Sequence, residues 1–242
     1  MSANQNRDNA ASIKASTPAS DDVAAVPRGN VDLSIMLAMH AAFRRDLAHL
    51  AHAASRPAAD LEDPAQRTAV LAGWEVFKTQ LHHHHTAEDA DLWPRMRGHL
   101  AEHADDLALL DAMEDEHHHI VPLLDSIDSA LADQEHGHER LGDTVDALAT
   151  ELPRHLSHEE RDALPLVDRA LTAKEWSGFE ADQRRKTGIR GASQMFPWML
   201  ESASPERVRA VLHTLPPPLR VVYRHVWQPR YASHDHWDAT VS

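Results

Sequence analysis

Four stretches of this chain repeat apolar residues at steps of three and four, a period that fits one face of an α-helix and no strand. The first series is Leu33, Met36, His40, Phe43, Leu47, Leu50, and the second is Val70, Trp74, Phe77, Leu81, His84, Glu88. The third is Leu110, Met113, His117, Ile120, Leu124, Ile127, Leu131, and the fourth is Val145, Leu148, Leu152, His155, Glu159. Each stripe must be buried, yet each contains an imidazole and two contain a carboxylate. Where those six polar residues go is the question the sequence poses.

Punctuation between the stripes supports long helices. Helix A runs from Asn30, as N-cap, to the break before Pro57. Helix B opens at Asp63 and Pro64, which suit a cap and a first helical position, with Gln66 at capping-box spacing, and it closes at Trp93-Pro94. Helix C covers Ala104 to Asp133 with a kink at Pro122. Helix D covers Glu139 to Arg169, disturbed by Pro153 and Pro165, with Leu164-Pro165 as its close. Only eight glycines are present and β-branched runs are scarce, which favours an all-α protein. Short connections between long helices predict an up-down-up-down four-helix bundle over residues 30–171. Residues 1–29 read as a disordered tail. Residues 172–242, rich in proline and aromatics, read as a C-terminal helical extension of two or three shorter helices, one starting at Ser204-Pro205.

Charge and composition exclude several functions. With 38 acidic residues against 24 basic ones, a net charge of -14, the chain has no field to attract nucleic acid or an anionic membrane. No long apolar run and no basic-then-apolar leader is present, so the expected compartment is the cytoplasm. There is no cysteine, so a bound metal must be held by nitrogen and oxygen.

The polar stripe residues fit that chemistry. His84 and Glu88, and likewise His155 and Glu159, stand one turn apart on the same helix face. Two such His-x-x-x-Glu pairs on facing helices, with His40 and His117 from the others, could hold two metal ions. A buried carboxylate lacking a partner costs several kcal/mol, on the order of the penalty for any uncompensated ion, and a cation removes that cost. Imidazole and carboxylate together suit iron, with manganese or zinc also possible. His118 is the alternative to His117 if the helix phase drifts near Pro122, and Glu160 is the alternative to Glu159. The neighbours of His84 in the run His82 to His85 read as solvent-facing, as do His119, His136, His138 and His158. Asp89, Arg44 and Arg45 read as surface charge. Tyr223, His225 and Tyr231 are outlying candidates for an extra ligand.

The stretches "MLAMHAAFRRDL", "LHHHHTAEDADLWP", "MEDEHHHIVPLL" and "HLSHEERDALPL" resemble the hemerythrin-like, or HHE cation-binding, family of non-haem di-iron bundles. The resemblance covers residues 30 to 170 and implies metal ligation by His40, His84, Glu88, His117, His155 and Glu159, around two oxo- or hydroxo-bridged iron ions. It implies a small-molecule oxidant as partner: dioxygen, peroxide or nitric oxide. The chain departs from oxygen-carrying members at Val121, where they have a second histidine on the third helix, and at Glu160, where they have an aspartate five residues after the last-helix histidine. Both departures count against reversible oxygen carriage. The expected functions are therefore peroxide disproportionation or substrate oxidation, or else sensing of iron, oxygen or nitric oxide without turnover. The oligomeric state, monomer or homodimer, is left open by the sequence.

Overall fold

A computed structural model describes residues 31–57 and 63–239. The tail at residues 1–29 and Asn30 lie outside the described residues. The four stripe-bearing helices are α1 (Ser34–Ser55), α2 (Pro64–Ala87), α4 (Ala104–Ala132) and α5 (Gly137–His158), with the short α3 (Trp93–His99) continuing α2 and α6 (Leu164–Ala170) continuing α5. Around the bundle α1 packs on α2, α2 on α4, α4 on α5 and α5 on α1, the neighbour relations of an up-down-up-down arrangement. Every residue of the four stripes is buried. No helix among the described residues is long and apolar enough to cross a membrane.

The starts of the helices follow the local chemistry. Asp63 accepts from the backbone N–H groups of Ala65 and Gln66 at 2.8 and 2.9 Å, capping α2 ahead of Pro64. Gln66 does not complete a capping box; its side chain donates instead to the carbonyl of Trp237 at 2.8 Å. Helix α1 starts without a side-chain cap.

The helix ends differ from expectation at the prolines. Pro94 and Pro165 do not close the motif helices, which run on to His99 and Ala170. Each is preceded by a π-helical turn, Glu88–Leu92 or Glu159–Ala163, and the same pairing recurs in the extension, where Tyr223–Trp227 precedes Pro229. A proline ring inside an α-helix clashes with the carbonyl four residues back, here Ala90, Arg161 and His225. All three lie within the widened turns, which let the chain continue through the proline. The first residues of the two bundle π-turns are Glu88 and Glu159.

The core is divided along the bundle axis. One apolar cluster holds Phe43, Leu47, Phe77, Leu81, Ile120 and Leu152; the other holds Met36, Leu92, Trp93, Met113, Ala163 and Leu164. Along each helix the polar stripe residues fall between the two, so they form a buried slab sandwiched by hydrocarbon.

The extension is built differently from the expected short helices. It begins with the long α7 (Ala173–Leu200), opened by a Thr172/Glu175 capping box and kinked at Gly188, whose φ of 59° is open to glycine at little cost. The helices α8 (Pro205–Thr214, capped by Ser204), α9 (Pro217–Val222) and α10 (Gln228–Ala232) follow. Two anchors bind this layer to the bundle. Trp198 is fully buried, its ring 5.2 Å from Phe43, and its indole N–H donates to the buried Asp46 at 2.7 Å. Arg45 donates both to Asp46 and to the carbonyls of Trp198 and Glu201. Further on, Trp237 lies against Gly73, where a Cβ would fall 2.5 Å from the indole, and donates its backbone N–H to the carbonyl of Ala69.

Truncating the first anchor tests whether the extension belongs to the same cooperative unit. Trp198→Ala is expected to lower unfolding free energy by about 3–5 kcal/mol, the range for deleting a buried aromatic, read from urea midpoints; a loss below about 1 kcal/mol contradicts that anchoring role.

Candidate metal centre

The slab residues arrive from four helices. His40 comes from the middle of α1, His84 from the last turn of α2, His117 from α4 and His155 from the last turn of α5, while Glu88 and Glu159 open the π-turns. All six are buried, Glu88, Glu159, His40 and His155 completely. His117 faces inward while His118 is exposed, so His117 is the one of the two that lies in the slab.

Their reactive atoms form two groups whose members lie within 4.8 Å of one another: His40, His84, Glu88 and Glu159, and His85, His117 and His155. In the first, the Nε2 atoms of His40 and His84 are 3.1 Å apart. In the second, the Nε2 atoms of His117 and His155 are 3.2 Å apart. The carboxylates span both groups. Glu88 Oε1 is 3.4 Å from His84 Nε2 while its Oε2 is 3.5 Å from His117 Nε2. Glu159 Oε2 is 3.2 Å from His40 Nε2 and 3.9 Å from His155 Nε2.

Carboxylates behind the rings set the direction of the imidazole lone pairs. The Nδ1 of His117 lies 2.8 Å from Asp89, that of His155 2.9 Å from Glu116, and that of His40 2.8 Å from Glu160. A carboxylate at such a distance accepts, so each Nδ1 carries a proton and Nε2, a lone pair whenever the ring is neutral, is the nitrogen turned toward the slab. For His117 and His155 this brings two lone pairs face to face at 3.2 Å. Two acceptors repel at that distance unless a cation lies with them. The carboxylates make the same demand: all four oxygens of Glu88 and Glu159 are buried without a hydrogen-bond partner, and so is His85 Nε2. The donor set therefore fits a metal and fits poorly with a hydrogen-bonded core.

The electrostatics of the metal-free slab are those of a site short of positive charge. Burial, reinforced by the charge of Glu159, pushes Glu88 well above the usual carboxylate range. Burial opposes protonation of His40, but Glu159 and Glu160 outweigh it and raise its pKa to about 9. His84 and His85 are held well below the ordinary imidazole value by burial and by neighbouring imidazole charge.

Four residues outside the sequence-derived ligand set prove important. His85, read as solvent-facing, is buried, and its ring stacks on His117 with centroids 3.9 Å apart and planes at 12°. Consecutive helical residues diverge by about 100°, which favours one face for one residue; here His84 and His85 straddle the stripe and serve one group each. Asp89, read as surface charge, holds His117, and Glu116 holds His155, His158 and Arg154. Burial pushes the Glu116 carboxyl up, but those hydrogen bonds win and bring it down to about 2. Arg44 is also no bystander, since it pairs with the Glu160 that orients His40. Glu160 itself lies behind His40, and Glu159 is the residue in the slab. Val121 is half exposed, so the third imidazole of the second group comes from α2 and not from α4. Tyr223, His225 and Tyr231 join neither group; the Tyr231 hydroxyl is hydrogen bonded to Glu201.

The hemerythrin HHE cation-binding domain matches residues 31–167, more than half of the chain. The chain belongs to this family. No curated protein and no solved structure matches it. As a hemerythrin-family bundle it is a cation-binding protein, and its His/Glu slab is where the geometry accommodates the cation.

Two outcomes follow. Glu116→Gln removes the charged acceptor behind His155, and metal affinity measured by chelator competition is expected to fall about 10–100-fold with helicity retained; unchanged affinity would show that Glu116 is structural only. Second, His40 with a pKa of about 9 is protonated in the metal-free protein at neutral pH, and metal must displace that proton. Calorimetric titration in buffers of different ionisation enthalpy is expected to show proton release on metal uptake, and affinity rising with pH up to about 9. Uptake without proton release contradicts the assignment of His40.

Proposed function

We propose that this is a non-haem di-iron protein that binds or reacts with a small oxidant, either dioxygen, peroxide or nitric oxide. The observation that carries the reading is the pairing of imidazole Nε2 atoms at 3.1 and 3.2 Å with Glu88 spanning both groups, one oxygen toward each. Under this reading His40 and His84 would hold one ion and His85, His117 and His155 the other, with Glu88 and Glu159 placed within reach of both groups. Imidazoles mixed with carboxylates favour iron over the harder cations that prefer oxygen alone. Iron so held supplies one-electron chemistry and an exchangeable position for a small ligand.

The chain's own residues set the terms of that chemistry. Asp89, Glu116 and Glu160 fix the three rings with Nε2 inward, so the donors need no reorganisation when an ion or its charge changes. Phe43, whose ring lies 5.3 Å from His84, together with Leu81 and Ile120 keeps water from one side of the slab. Trp93, Met96 and Met113 do so from the other. Five imidazoles against two carboxylates leave the pair less anionic than a carboxylate-rich site, which favours ligand binding or peroxide turnover over attack on strong C–H bonds.

Rapid mixing of reduced, iron-loaded protein with dioxygen, peroxide and nitric oxide in turn tests the proposal. An absorption change with at least one of the three is expected, and at least a tenfold loss of that response in His84→Ala. Oxygen evolution from peroxide defines turnover, and a change that reverses on ligand removal defines binding. Silence toward all three contradicts the reading.

A further inference from the structure

A cavity of about 640 Å³ lies between the bundle and the extension. His84 and Glu88 belong to its inner lining. Its remaining walls are mainly apolar, formed by Met36 and Met39 of α1 and by Trp176, Phe179, Met195 and Phe196 of α7. The kink at Gly188 also lines it, so the bend of α7 shapes the space.

The volume exceeds what the proposed oxidants need. A diatomic or a peroxide takes up roughly the 30 Å³ of a water molecule, whereas pockets of about 300–1,000 Å³ hold small organic ligands. The cations that line the cavity are already paired: Lys186 with Asp91, Arg184 with Glu180 at 3.8 Å, and Arg185 with Asp182 at 3.0 Å. An anionic ligand would compete with those pairs, while an uncharged one gains from the methionine and aromatic walls. The cavity also meets the slab at His84 and Glu88, on the side of the group with four donors.

We propose that this cavity binds an uncharged, mainly apolar organic molecule and presents it to the His84/Glu88 side of the metal centre. The binding stands on the cavity alone, and only the presentation rests on the di-iron reading. The C-terminal extension then acts as the outer wall of a second ligand site, beside the slab that takes the small oxidant.

The test uses the full chain and the neutral fluorophore N-phenyl-1-naphthylamine. Saturable binding with one probe per chain is expected in both metal-free and iron-loaded protein, with the probe perturbing the absorption of the iron-loaded form. Ala192→Trp and Met195→Trp each place an indole into the cavity and are expected to weaken binding at least tenfold, with metal content and helicity unchanged. Val226→Trp, on an exposed position away from the cavity, should bind as the parent does. Absence of saturable binding, or an affinity in both cavity variants equal to that of the parent, overturns the proposal. So does binding that emerges only after residues 1–29 are removed, since the chain's own N-terminal segment would then be the occupant. Probe binding by a chain that takes up no iron would keep the cavity and remove the di-iron reading; iron uptake without probe binding would do the reverse.

Discussion

Two carboxylates buried in hydrocarbon dictate the rest of this molecule. Glu88 and Glu159 are fully buried, lie between two apolar clusters, and have no hydrogen-bond partner at any of their four oxygens. An uncompensated carboxylate in such a place is among the most expensive features a fold can carry. The surrounding imidazoles do not relieve it while neutral, because their lone pairs point the same way. Only positive charge does, supplied by protons in the metal-free chain or by metal ions in the loaded one. The raised pKa values of Glu88 and His40 are the protonic form of that demand.

The bundle supplies what such a site needs in order to persist. Four helices each contribute an imidazole from a stripe otherwise made of Leu, Met, Phe and Ile, so the donors are held by packing on both sides of the slab. The π-turns at Glu88 and Glu159 let the motif helices continue through Pro94 and Pro165 and close the slab with Trp93, Leu164 and Val167. Behind the rings, Asp89, Glu116 and Glu160 fix the protons on the outward nitrogens. The extension is fastened by Trp198 on Asp46 and by Trp237 over Gly73, and it turns an exposed flank of α1 and α2 into the wall of a cavity.

Much of this was legible in the sequence, for a definable reason. A stripe of period 3.6 indicates which face is buried, and phase picked out His40, His84, Glu88, His117, His155 and Glu159, with His118 and Glu160 left as alternatives to His117 and Glu159. The six converge in the fold, although their role as ligands remains a proposal. Phase was also the limit of the method. His85 was missed because a single stripe assigns one residue of each consecutive pair, whereas a helix that faces two neighbours buries both. Asp89 and Glu116 were missed because a carboxylate at the edge of a stripe looks like any surface charge until the ring it holds is in view. The prolines misled in the other direction. Pro94 and Pro165 carry the usual signal for a helix end, and what overrode it was a widened turn that costs little and leaves no trace in hydrophobic periodicity.

The central proposal is that the slab would hold two iron ions, with Glu88 and Glu159 placed within reach of both groups of imidazoles. It is tested most directly by elemental analysis combined with Mössbauer spectroscopy on the full chain, purified without an affinity tag or a metal column because the exposed histidines at positions 82 and 83 would retain stray metal. Two irons per chain in magnetically coupled sites is the expected result. A single iron, uncoupled irons or tightly held zinc would contradict it.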